Sequence, residues 1–351
     1  MRSGRRILRL WRRPSDPTNM KLSEISARIS AKAALLGGVA VCGIYALAVW
    51  LVGPYLPAVD FAPDTGFRHY YWQLPNPTWL TRTTAWGGYL AHQLVIWGLI
   101  FYAQRRGLKY TKALHPVNVV ALAANLFFVV LHLAQTAVFY DGLAQDVAIW
   151  SAQGSVVILL VLVLLMENQR RGLVFGFRAP GLKTAGEVTR RYHGYFFSWA
   201  VIYTFWYHPM EDTLGHLLGT FYTLLIILQG SLFYTRSHVS RGWTVCLEAF
   251  VVIHGVLVAW LSLQLWPMFL FGFLGVFVVT QMHGLGWPRW LRSVFVVGYL
   301  AGAVAVYAGK GFGPSVVEIL RIPVVEYGSV FVLALLLTAG ARVTQVLTNK
   351  T

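Results

Sequence analysis

Two histidines and two carboxylates lie within one ten-residue segment, 207–216, which reads Tyr-His-Pro-Met-Glu-Asp-Thr-Leu-Gly-His. Imidazole nitrogens and carboxylate oxygens are common ligands of zinc and non-haem iron, and a catalytic site keeps one position open for water or substrate. His92 and His132 occur in apolar segments, at depths that allow them to reach the same layer. We therefore predict a zinc or iron site whose ligands are His92, His132, His208 and His216.

Glu211 and Asp212 are the candidate catalytic carboxylates of this hypothesis. Glu211 serves either as a further metal ligand or as the general base beside a metal-bound water. The two histidines of the segment converge only if the chain turns tightly, which Pro209 and Gly215 favour. A structural interpretation stands beside the catalytic one, because Asp212 and Thr213 are favourable N-cap residues and a glutamate is stabilised near a helix N-terminus.

Glu248, His254 and His283 form a second candidate set, which predicts a proton relay in a transporter. Glu248 lies deep enough in an apolar segment to require a partner, either His283 or a basic residue of a neighbouring loop. The alternative is structural: an interhelical ion pair and a histidine bonded to a backbone carbonyl. Haem bound between paired histidines is a further hypothesis, with His92 and His132 as the best pair.

The composition of the chain shows which elements must position these groups. Of 351 residues, 57% are hydrophobic and 12% are charged, whereas soluble proteins carry about 25% charged residues. Apolar runs of about 20 residues recur along the sequence and are long enough to cross a bilayer as helices. We predict an all-α, polytopic transmembrane bundle of about ten spans, at 33–56, 84–103, 116–140, 147–166, 193–208, 214–234, 243–263, 267–286, 293–308 and 327–347.

The distribution of positive charge predicts the orientation of the bundle. The net charge is +16, and alternating spans put all Lys and Arg on one side except Arg68, Arg82, Lys310 and Arg321. By the positive-inside rule that side is cytoplasmic, and it holds both termini. This position explains the charge without a nucleic-acid partner. We expect a multi-pass protein of the bacterial inner membrane.

The predicted organisation is a single transmembrane domain, 33–347, between two cytoplasmic tails. The basic tail 1–32 is expected to lie on anionic lipid, and the second tail is 348–351. Cys42 and Cys246 fall inside apolar spans and predict free thiols.

Three functions are open at this point. The first is a metal-dependent enzyme that acts on a lipid or isoprenoid, with membrane lipids and a hydrophobic small molecule as partners. The second is a proton- or ion-coupled transporter. The third is a haem-binding protein or a non-catalytic scaffold whose polar groups serve only helix packing.

Overall fold

Eleven α-helices form the part of the chain that this computed structural model describes, residues 17–59, 73–261 and 265–348, and that part contains no β-strand. In chain order they are α1 (Pro17–Arg28), α2 (Ala31–Val52), α3 (Trp79–Arg106), α4 (Pro116–Phe139), α5 (Ile149–Arg171), α6 (Lys183–Tyr207), α7 (Leu214–Ser231), α8 (Arg241–Leu261), α9 (Trp266–Val279), α10 (Arg289–Tyr307) and α11 (Phe312–Thr348).

Local signals in the sequence explain where several helices begin and end. The Ser30 side chain accepts a hydrogen bond from the backbone N–H of Ala33 and caps α2. Thr78 and Thr81 exchange side-chain and backbone hydrogen bonds in a capping box at the start of α3. Gly107 ends α3 in the left-handed conformation, which glycine adopts without a steric penalty.

The predicted all-α transmembrane bundle is confirmed. Within the described residues, eight helices are long and apolar enough to cross a membrane: α2, α4, α5, α7, α8, α10, α11, and α9 with its short 3-10 extension to Gly284. The other two predicted spans, 84–103 and 193–208, correspond to α3 and α6. Both helices begin with polar turns: the first turn of α3 contains Arg82, and the first residue of α6 is Lys183.

Two predicted loops are largely helical instead. The predicted fourth and fifth spans leave residues 172–192 as a long connecting loop, but α6 begins at Lys183. The expected loop before the tenth span is also wrong, because α11 begins at Phe312 and continues through Pro323. In both places charged residues and prolines suggested a break that helix packing overrides. The predicted tails are described only from residue 17 and up to residue 348.

Helix α6 lies at the centre of the bundle and contacts α3, α5, α7 and α11. Helix α7 in turn contacts α2, α4, α6 and α8, while α9 packs against α8, α10 and α11. Glycines permit the closest approaches: Gly88 of α3 faces the Trp206 ring, and Gly186 of α6 faces the Leu165 carbonyl. Large apolar side chains cover much of the outer surface, as expected for helices that face lipid.

Candidate functional site

The segment 207–216 is positioned by a second loop. Residues 208–213 connect α6 to α7, and residues 140–148 connect α4 to α5; we call the place where they meet the hairpin end of the bundle. The Tyr207 hydroxyl donates a hydrogen bond to the Val147 carbonyl (2.9 Å). The Met210 N–H donates to Thr136 Oγ1 (3.1 Å).

An arginine and two aspartates brace the loop 140–148. Arg82 Nη1 lies 2.6 Å from Asp141 Oδ1 and also donates to the Gly142 carbonyl (2.9 Å). A second ion pair joins Arg82 to Asp146, which also accepts a hydrogen bond from Trp86 Nε1 (2.7 Å). Asp141 is fully buried, so its pairing with Arg82 compensates part of the cost of removing the carboxylate from water.

His132 links this ionic cluster to the hairpin loop. Its Nδ1 lies 3.2 Å from Gln135 Oε1, and its Nε2 lies 3.1 Å from the backbone carbonyl of His208. The Gln135 amide nitrogen donates to the Asp141 carbonyl (3.1 Å), which orients the amide so that its oxygen faces His132. Both nitrogens of the ring therefore have partners within the protein.

The two histidines of the segment 207–216 lie side by side. The ring centroids of His208 and His216 are 4.5 Å apart, in an edge-to-face arrangement. His216 Nε2 is 3.0 Å from the hydroxyl of Thr220, one turn further along α7. The tight turn expected at Pro209 therefore brings these rings into contact.

Glu211 and Asp212 occupy different environments at the hairpin end. Glu211 is partly buried and accepts a hydrogen bond from the Tyr140 hydroxyl. Burial, followed by the nearby negative charge of Asp212, raises the pKa of Glu211 from 4.5 to about 7. Asp212 is exposed and lies against Gly53 at the end of α2. The pKa of the Glu211 carboxyl therefore lies near neutrality.

His92 has protein partners at both of its ring nitrogens. Its Nε2 donates to Asn125 Oδ1 (2.7 Å), and its Nδ1 accepts from Trp206 Nε1 (3.2 Å). The same indole also contacts His132, with ring centroids 4.3 Å apart. Protein groups therefore occupy both nitrogens of His92, and the ring has no free position for a metal.

The predicted four-histidine metal site is not supported. Among the residues that the structure describes, no group of three or more His, Cys, Asp or Glu side chains has an arrangement that could hold a metal ion. His132, His208 and His216 are neighbours, but contact between rings does not make their nitrogens converge on one point. Zinc, iron and haem stay predictions from the sequence.

The second predicted set divides into two parts. His254 hydrogen-bonds the Gly215 carbonyl and lies close enough to His208 and His216 for their charges to interact. Its ring centroid is 6.4 Å from that of Tyr222, which follows His216 by six residues on α7. His254 therefore belongs with the hairpin histidines, although the sequence placed it with Glu248.

Glu248 has a buried arginine as its partner. Three hydrogen bonds of 2.9–3.1 Å join its carboxylate to the guanidinium of Arg171, the last residue of α5. The Arg171 side chain is 1% exposed and that of Glu248 is 16% exposed. The Tyr222 side chain lies within electrostatic range of Glu248, and its ring also neighbours that of His254.

His283 lies outside this arrangement. Its Nε2 donates to the Val278 carbonyl (3.2 Å), and its Nδ1 accepts from Arg292 Nη1 (3.2 Å). Its ring packs edge-on against Phe175, in the turn after α5. His283 is thus bonded to nearby groups, and the structure does not pair it with Glu248.

Comparison with known proteins returns no relative. No protein-family model, curated protein or solved structure matches the chain.

Sequence reasoning did not identify Arg82, Asp141, Arg171 and Tyr222 as members of the site. For the first pair a signal was present, since an arginine and an aspartate were predicted in neighbouring loops on one side of the membrane. For Tyr222 there was none, because tyrosine is common at membrane interfaces and nothing in the sequence distinguishes one that faces a glutamate.

Proposed function

We propose that the protein carries protons through the membrane along the contact between α7 and α8. Five side chains would conduct the protons, and we call them the relay: His208, His216, His254, Tyr222 and Glu248. The observation that supports the proposal is the succession of these groups along α7 and α8, from two imidazoles in contact at the hairpin end, past the neighbouring rings of His254 and Tyr222, to the ion pair at the end of α5. Proton- or ion-coupled transport is the function class to which this activity belongs.

The order of the groups follows from the antiparallel course of the two helices. On α7, His216 and Tyr222 are six residues apart, about 9 Å along the axis at 1.5 Å per residue. On α8, His254 and Glu248 have the same separation in the opposite direction. Each helix thus contributes one imidazole near the hairpin end and one acidic group further from it.

The chemistry of each member suits proton transfer. An imidazole accepts a proton on one nitrogen and releases another from the second nitrogen. The Tyr222 hydroxyl is both donor and acceptor, so it can transmit a proton from His254 to the Glu248 carboxylate. Glu211, with its pKa of about 7, supplies a group that exchanges protons with water beside His208. Arg171 holds the carboxylate at the other end of the relay.

The experiment is proton flux into proteoliposomes. The full-length protein is reconstituted with an internal pH-sensitive dye, and a potassium gradient with valinomycin imposes an inward-directed potential. Substituting His254→Phe keeps the ring volume but removes both nitrogens, and we expect flux to fall at least about tenfold, as when a positioned proton-transfer group is lost. His254→Asn, which keeps a hydrogen-bond donor for the Gly215 carbonyl, is a second variant in case the first folds poorly.

His283→Gln is the matched control. His283 is also a histidine in a short helical segment near a membrane helix, but its partners lie outside the relay. We expect its flux to match that of the wild-type protein. Equal flux in the wild-type protein, both His254 variants and protein-free vesicles would refute the proposal. Metal analysis of the same preparation tests the metal-dependent enzyme predicted from the sequence, which requires stoichiometric zinc or iron.

A further inference from the structure

Glu326 is a buried carboxyl that the relay does not use. It lies in α11, within an apolar stretch, and only 3% of its surface is exposed. No hydrogen bond or ion pair from another described residue reaches its carboxyl group. The adjacent Tyr327 hydroxyl is engaged elsewhere, 2.6 Å from Thr280 Oγ1.

The surroundings of Glu326 are apolar on the face of α11 that meets α9. Just before it, Ile322 and Pro323 pack against two glycines of α9, Gly272 and Gly275. One turn after it, Val330 is fully buried in a cluster that includes Val161, Leu164 and Val276. The carboxyl group is therefore held between two apolar contacts, where an unpaired carboxylate is strongly disfavoured relative to the neutral acid.

The facing elements supply little charge. Helix α9 contains no ionisable side chain. On α5, Arg171 is committed to Glu248. On α6, which also packs against α11, Lys183 and Glu187 are exposed. A single carboxyl without further oxygen ligands also lacks the six to eight donors that calcium requires. A proton is therefore the ligand that the Glu326 carboxyl group can bind.

We propose that Glu326 is a second proton-binding site of the protein, a membrane-embedded carboxylic acid that hydrophobic carbodiimides modify. In that reaction the acid proton moves to a carbodiimide nitrogen and the carboxyl oxygen bonds to the central carbon. Transfer of the acyl group to nitrogen then gives a stable N-acylurea. No oxidant or further reactant takes part. The site is independent of the relay, so either proposal can fail alone.

The test is labelling of the full-length protein in proteoliposomes with dicyclohexylcarbodiimide, followed by peptide mass spectrometry. We expect an adduct on Glu326 that diminishes as the pH rises, and its loss in Glu326→Gln. Glu318 is the internal control, because it lies on the same helix but is ion-paired with Lys310. Glu318→Gln should leave the labelling of Glu326 unchanged.

Two outcomes would overturn the proposal. One is the absence of an adduct on Glu326 when the reagent is in excess over the protein. The other is equal labelling of Glu318 and Glu326, since that would mean that the reagent does not distinguish a buried neutral acid from an ion-paired carboxylate. A water-soluble carbodiimide provides a further comparison, and we expect it to leave Glu326 unmodified because the side chain is out of contact with water.

Discussion

The ion pair between Arg171 and Glu248 makes a quantitative prediction about stability. In Arg171→Met the guanidinium is lost and the Glu248 carboxylate keeps only a small exposed fraction, 16% of its side chain. Removing one partner of a buried pair typically costs about 3–5 kcal/mol, because the other charge is left without compensation. Since Glu248 retains some exposure, we expect a loss near the lower limit, about 3 kcal/mol.

The double variant Arg171→Met/Glu248→Met separates the pair from its surroundings. Replacing both ions with apolar side chains of similar length leaves no buried charge, and such replacements are often neutral or stabilising. We therefore expect the double variant to recover most of the stability lost in the single variant. The assay is an SDS titration in a fixed detergent, followed by circular dichroism. If the double variant is as unstable as the sum of the two single variants, the pair is not coupled and the reasoning fails.

Two further predictions concern the hairpin end. In Gly142→Ala the new Cβ would lie 2.6 Å from the Tyr207 carbonyl oxygen and 2.7 Å from the His208 Cα; because both are backbone atoms, we expect a loss of about 1–3 kcal/mol in the same titration, and an unchanged midpoint would contradict this packing. For Glu211, the folded-state pKa of about 7 exceeds the ordinary 4.5, so between these values the folded protein holds a proton that the unfolded chain has lost. Stability from this residue is present below pH 4.5 and falls as the pH rises to about 7. Melting temperatures across this range should show that decline in the wild-type protein and a weaker one in Glu211→Gln, and parallel profiles would contradict it.

The sequence predicted the helical elements well because the signal is simple. Apolar runs long enough to cross a bilayer identify helices whatever their partners are. The errors occurred where polar residues lie inside helices, as at the start of α6 and in the first turns of α11. There the charged residues suggested loops, but contacts with neighbouring helices hold the chain in a helix.

The sequence predicted the depth of the polar side chains in the membrane better than it predicted which of them lie together. Counting residues along a helix gives the height of a side chain but not the direction in which it points. His92 and His132 are at compatible depths, yet the nitrogens of each ring are bonded to protein groups and do not share a ligand position. The sequence grouped His254 with Glu248 as a candidate relay but did not show that His254 lies close to His208 and His216. Such directions depend on tertiary packing, which one sequence does not determine.

Proton flux measured in vesicles that contain either the wild-type protein or His254→Phe tests the relay most directly. The account predicts rapid acidification with the wild-type protein and a rate at least about tenfold lower when the imidazole is replaced by a phenyl ring. If the two preparations contain equal amounts of folded protein and acidify at the same rate, protons do not pass through His254, and the proposed pathway between α7 and α8 is wrong.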